Sequence, residues 1–241
     1  MQPNQKTKLA TAVLLLTISF SSLAGDRFDS FYAGAGLGAG FTRMEGLQDG
    51  DHIIENNKPW KSEIIDPQWI DNRVAYITIG RDWNLGNGLV TGVVFDYSMS
   101  SAKKTAKEQE DQNGDYFSFE SKSASSLRFR LGHLVNDNVL VYGTLGLASL
   151  KNKFTSYDED GGVPQSLKSK SFTKTAPVIG AGVNWFSQSN RHISYQVEGL
   201  YYMNAGKYNF REAELSADMD AGDYARIKNI TTIRFGINYH F

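Results

Sequence analysis

Five ionisable residues fall where apolar and polar side chains alternate: Asp96, Arg128, Arg130, Glu198 and Arg234. Each shares its parity with glycines or small polar residues, and the intervening positions carry Leu, Ile, Val or Phe. In an extended chain such residues project from one face. Two carboxylates and three guanidinium groups on a shared, enclosed face allow two kinds of chemistry. An unpaired charge away from water is costly and a hydrogen-bonded cluster satisfies it, so the group can latch the strands that carry it. Alternatively, exchange of partners within the cluster would open a narrow ion path. Both readings stand at this stage.

Other reactive constellations are missing or misplaced. The chain has no Cys, which removes disulfides, thiol catalysis and Cys-ligated zinc. His52, His133, His192 and His240 are scattered without an i, i+4 pair, so no metal site is expected. Gly34-x-Gly36-x-x-Ala39 fits a degenerate dinucleotide fingerprint, but that motif needs a helix after it and here it lies inside one extended run. No cofactor is expected. Asp218-Met-Asp220-Ala-Gly222-Asp223 approaches a calcium loop but lacks its ligand spacing and closing Glu. Asn229-Ile-Thr231 matches a glycosylation sequon within a strand and is read as coincidence. A formal charge of −1 supplies no bulk field for nucleic acid.

The elements that must position the five charges are strands. Of 241 residues, 41% are hydrophobic and 21% charged, too polar for a bundle of membrane helices and too apolar for disorder. Period-2 alternation dominates and little appears at period 3.6. It predicts eight strands over residues 31–41, 74–83, 89–99, 117–135, 139–154, 172–186, 193–210 and 224–241. Connections alternate between long (43–72, 101–116, 155–170, 210–223) and short (84–88, 136–138, 187–191). An even number of long strands with alternating loop lengths describes an antiparallel meander closed into an eight-stranded up-and-down barrel.

Such a barrel is either apolar inside and soluble, or apolar outside and embedded in a membrane. Two features favour the membrane form. The strands exceed the roughly 5–6 residues usual in globular sheets and reach the roughly 9–11 that cross a bilayer. The glycines alternate on the charged face, where a crowded interior needs them. Aromatics then form girdles: Trp83, Trp185, Tyr239 and Phe241 at the short-turn end, and Tyr97, Phe154, Phe172, Tyr208 and Phe210 at the long-loop end. Both termini lie at the short-turn end, which this reading makes periplasmic, with the long loops outside.

The first 24 residues read as a cleaved secretory signal peptide, leaving 25–241 as the barrel domain. Lys6 and Lys8 precede an apolar stretch over 9–20, and Ser22-Leu23-Ala24 ends it with small residues at −3 and −1. That stretch falls short of the roughly 20 residues of a helical span. Cleavage would leave 23 basic against 26 acidic residues, a net of −3.

The leader, the opening FYAGAGLGAGF and the closing IRFGINYHF resemble small outer-membrane β-barrel proteins of Gram-negative bacteria. The segment LRFRLGHLVNDNVLVYGTLGLA resembles the fourth and fifth strands of the porin-like immunogenic and opacity-type branch. Phe241, with Tyr239 and Phe235 on the same face, resembles the family's C-terminal signal for the barrel-assembly machinery. The resemblance implies a non-enzymatic, monomeric barrel for envelope structure and surface presentation. Its implied partners are outer-membrane lipid and lipopolysaccharide, the assembly machinery and periplasmic chaperones, and host surface molecules. A narrow porin-like channel and a loop-based adhesin or immune-evasion protein are the alternatives. His192-x-Ser194 with Glu198 resembles the residue types of outer-membrane lipid A deacylases, but all three are read as inward, away from the outer face where acyl chains lie. Loops 43–72 and 210–223 each carry a net of −4, from seven acids and three bases and from five acids and one base. That charge is simple solvation, a bridge through divalent cations to lipopolysaccharide, or a contact for a basic host surface. Trp60 and Trp69 with Ile53, Ile54, Ile64 and Ile65 suggest that the first loop is a hairpin extending the barrel, with an exposed contact patch as the other reading.

Overall fold

A computed structural model describes residues 27–48, 63–107, 116–160, 163–209 and 224–241. The strands are β1 (Phe31–Gln48), β2 (Glu63–Gly86), β3 (Leu89–Ser100), β4 (Lys103–Lys107), β5 (Tyr116–Asn136), β6 (Val139–Asp160), β7 (Val163–Phe186), β8 (Ile193–Asn209) and β9 (Tyr224–His240). All pair antiparallel with their neighbours, β9 returns to β1, and β3 pairs with β5, so the sheet closes. Short β4 continues β3 past Ser101-Ala102 and pairs with the same β5, so the ring has eight staves.

The period-2 alternation sets the two faces. Leu37, Ile77, Phe95, Leu127, Leu145 and Ile233 stand exposed on the outside, while Arg128, Arg130, Arg234, Asp96 and Glu198 are each about 1% exposed within. This is the inside-out polarity of a barrel that sits in lipid. Glycine makes room for the interior at positions such as Gly36, where an added Cβ would fall 2.6 Å from the Tyr76 ring. Between β2 and β3, Asn87 and Gly88 take φ of 53° and 76°, the left-handed pair that a tight hairpin turn needs.

The strands outrun the expected loops. β1 and β2 stay paired to Gln48↔Glu63, so the ends of range 43–72 are strand, and the hairpin extension holds as far as Glu63. β6 and β7 stay paired to Asp160↔Val163, so the described residues of range 155–170 belong to the two strands. Lys103–Lys107 pairs with β5 inside range 101–116. Above the lipid no apolar solvent imposes an in–out code. Backbone pairing continues the ladder there, and polar residues at outward positions hide it from the alternation. The leader 1–24, Trp60, Ile53, Ile54, His52, Phe210 and range 210–223 lie outside the described residues.

Candidate functional site

Four of the five charges form a closed square across the lumen. Glu198 on β8 and Arg234 on β9 are direct register partners, and Asp96 on β3 stands beside Arg128 on β5. Arg234 Nη2 donates to Glu198 Oε2 at 2.6 Å and Arg128 Nη2 to Asp96 Oδ2 at 2.8 Å. Two further bonds cross the lumen: Arg128 Nη1 to Glu198 Oε1 at 2.7 Å, and Arg234 Nη1 to Asp96 Oδ1 at 2.9 Å. Every carboxylate oxygen of the square thus accepts from a guanidinium. Ser126 adds a bond to Asp96 Oδ2 at 2.6 Å, Arg128 also donates to Thr144 at 3.1 Å, and the Arg234 guanidinium lies 4.2 Å from the Tyr76 ring centre.

Arg130 stands apart from the square. It pairs with Asp82 on β2 at 3.0 Å, and its guanidinium lies between the rings of Tyr142 (4.1 Å) and Tyr32 (5.2 Å). The sequence reading missed Asp82. A signal was present, since two acids against three bases left one inward charge unbalanced, and Asp82 shares the inward parity of Tyr76 and Gly80. With it, three acids face three bases.

Toward the short-turn end a polar chain continues. Gln196 donates to the Tyr76 hydroxyl at 3.1 Å and accepts from Asn238 at 3.0 Å. The His240 ring lies 2.8 Å from both Ser30 Oγ and Ser194 Oγ. Phe28, wholly buried just ahead of β1, packs edge-on against Phe186 at 4.9 Å and joins Val90, Leu140 and Tyr142 in an apolar cap. Arg27 ties the cap down by donating to the Asn138 side chain.

Above the square the interior turns apolar. Ala148, Leu150, Ala176, Val178, Leu200 and Ile227 are nearly or wholly buried and belong to one cluster with Phe119, Tyr202 and Ile230. A void of about 20 Å³ at this level is bounded by Leu150, Tyr202, Ile230 and polar residues of β2, β3 and β5. Such a space holds about one water.

The remaining expectations divide. Trp83, Tyr239, Phe241 and Phe235 are exposed on the outer face, and half-buried Trp185 lies 6.0 Å from Tyr195. Tyr97 also faces outward. Phe154 and Phe172 do not belong to an outer girdle: Phe154 is buried in the interior cluster and Phe172 packs against it, as their even parity on β6 and β7 requires. Outward aromatics at that level are Phe41 and Trp69, edge-on at 6.3 Å with Arg43 over Trp69. The side chain of Tyr208 lies outside the described residues. His192, Ser194 and Glu198 do not assemble into a reactive trio. His192 is exposed at the rim rather than inward, stacks on Tyr239 and donates to the His240 carbonyl, while Ser194 bonds His240.

Comparison with known proteins agrees with this architecture. The chain is 29% identical over 172 residues to the 31 kDa outer-membrane immunogenic protein of Brucella melitensis and equally to that of Brucella suis. The match spans 70% of this chain and 66% of those relatives, just under two thirds of their length. Among solved structures, the outer membrane protein OprG from Pseudomonas aeruginosa superposes with a TM-score of 0.51 at 12% identity, covering 90% of this chain and 98% of that one. The family model described as the outer membrane protein beta-barrel domain matches residues 10–241, so the chain belongs to that family and is a protein of the bacterial outer membrane.

Proposed function

We propose that this chain is a sealed, non-enzymatic envelope barrel that presents its long-loop end at the cell surface, and that its interior charges are a latch. The observation that carries this reading is the closed square: every oxygen of Asp96 and Glu198 is taken by Arg128 or Arg234, leaving no free charge to pass an ion along. Support comes from the apolar cluster above it and the Phe28 cap below it. An eight-stranded barrel is just wide enough for its side chains to fill.

In this reading residues 1–24 are removed on export. Phe235, Tyr239 and Phe241 are read by the assembly machinery, and periplasmic chaperones carry the chain to it. Trp83, Trp185, Tyr239 and Phe241 mark the inner interface. Lys151 and Lys153 continue the outward parity of Leu145 and Leu147 beyond the apolar band, which suits contact with anionic lipopolysaccharide better than the acidic loops do. The word immunogenic in the relatives' name agrees with surface presentation, and host surface molecules would then meet the loops.

Planar-bilayer conductance of the protein, beside Glu198→Ala and Arg234→Ala, tests this. Silence in all three, with folding shown by heat-dependent gel mobility, is expected. Reproducible steps that change in the variants would replace the latch with a gate and the envelope role with a pore.

A further inference from the structure

The wall of the barrel has a seam. The β7–β8 ladder runs from Phe186↔Ser194 only as far as Val178↔Tyr202. Both strands continue beyond that point, but each is paired on its far side: β7 with β6 to Val163, and β8 with β9 to Asn209. Residues at the parting explain it. Pro177 immediately precedes Val178, the β7 ladder residue at the parting, and has no N–H to donate, the mark of a strand edge. Opposite it, Asn204 and Gly206 take φ of 50° and 155°, and a register shift between Met203 and Gly206 bends β8. The strands meet again by side-chain contact. A Cβ on Gly206 would lie 3.2 Å from Phe172 Cε2, 3.5 Å from Asn152 Nδ2 and 3.7 Å from Lys174 Cβ.

The height of the seam matters. Ile179 and Tyr201 are the last outward apolar pair below it, and Thr175, Thr173 and Lys207 are exposed above it. Unpaired strand edges are not tolerated in hydrocarbon. This one starts where the apolar band ends and polar partners become available. Immediately inside lies the apolar cluster of Leu150, Ala176, Val178 and Ile227. Beside it Asn152 is wholly buried, and among the described residues neither its amide nitrogen nor its amide oxygen has a hydrogen-bond partner. A buried amide left unpaired costs about 1–3 kcal/mol, so its persistence calls for an explanation.

We infer that the β7–β8 seam is a lateral door through which a small amphiphile dissolved in the outer leaflet, an aliphatic chain bearing one hydroxyl or carbonyl, reaches the interior and pairs with Asn152. Phe172 is the leaf of the door, since it separates Gly206 from Phe119, whose ring centre is 6.5 Å away. The axial path stays shut by the charge square, so the door gives a bound state or lateral exchange rather than flow through the barrel. This goes beyond the envelope role and does not need it.

The chain has no Cys, so a seam lock is clean to build. Lys174→Cys with Gly206→Cys places the two Cβ atoms at 3.7 Å, within disulfide range, at the cost of strain from the φ of 155° at Gly206 and a 3.2 Å approach to Phe172. Protein purified from outer membranes is reconstituted in phosphatidylcholine vesicles with a diazirine-bearing dodecanol, illuminated, and its adducts are mapped by mass spectrometry. Adducts on Leu150, Val178 or Ile227 are expected in the wild type and in the reduced pair, and their loss in the oxidised pair. Adducts confined to outward residues such as Leu147 and Tyr201 overturn the door and leave the sealed barrel standing. Inward adducts that survive the lock overturn the door and the sealed reading together. Should the cysteine pair fail to fold, Asn152→Leu decides: inward labelling by the alcohol drops while labelling by the matching alkane persists. Equal loss or equal retention of both overturns the pairing with Asn152.

Discussion

Removing one arm of the charge square should cost more than removing two. Arg234→Met keeps the aliphatic stem against Tyr76 and deletes the bonds to Asp96 (2.9 Å) and Glu198 (2.6 Å). The square then holds two carboxylates against Arg128 alone, a net of −1 in a fully buried site. A charge-assisted hydrogen bond is worth about 1.5–3 kcal/mol, and breaking a buried pair from one side costs about 3–5 kcal/mol. The two figures agree on about 4 kcal/mol for the single variant. Arg234→Met with Glu198→Gln restores neutrality, because Arg128 still bonds Asp96 at 2.8 Å. The second change should therefore return about 1–2 kcal/mol instead of adding its own loss. Urea unfolding in vesicles, followed by gel mobility, reads this as a drop in midpoint of about 1–2 M for the single variant at a slope of roughly 2–3 kcal/mol per M. Partial recovery in the double variant is the expected result. A double variant at or below the single one would refute electrostatic closure and leave the four residues as mere volume.

Four further variants probe the layers around the square. Phe28→Ala empties the cap against Phe186 and Leu140 and should cost about 3–5 kcal/mol in the same unfolding assay. Gly36→Ala pushes a methyl group toward the Tyr76 ring and the backbone of β9, and overpacking of this kind costs about 1–3 kcal/mol. Leu145→Arg, in the exposed apolar band, should cost about 2–4 kcal/mol of folding in lipid. Lys151→Leu, three outward positions higher, should change folding little, and a similar cost at both sites would misplace the band.

The strand count and the facing of each strand were legible because lipid and lumen impose opposite chemistry at alternate positions. Leu127-Arg128-Phe129-Arg130-Leu131 shows the alternation plainly, with Leu127, Phe129 and Leu131 exposed and Arg128 and Arg130 buried. Legibility ends where the lipid ends. Residues 151–160 are ladder, yet Lys-Asn-Lys-Phe-Thr-Ser-Tyr-Asp-Glu-Asp has no outward apolar residue through Lys151 and Lys153 to set against the buried Asn152 and Phe154, so the alternation that marks a strand fades. Phe154 and Phe172 show a different limit: nearness to a loop suggested a girdle, whereas parity along the strand already placed them inside. Phe28 precedes the first alternation, so no period could assign it to the interior.

The charge balance carries the larger lesson about this barrel. The interior holds three acids against three bases, and in the square every carboxylate oxygen is taken, so removing any one member strands a charged partner in the lumen. That interdependence pins β3, β5, β8 and β9 to one another across the lumen, in addition to the ladders between neighbours. The pinning lies at the level where the β7–β8 ladder is still intact, and the seam opens only above it. Below the seam the ladder itself closes the wall, and on the proposed latch reading the square adds ties across the lumen at that same level. An axially blocked interior is therefore compatible with strands that part above it.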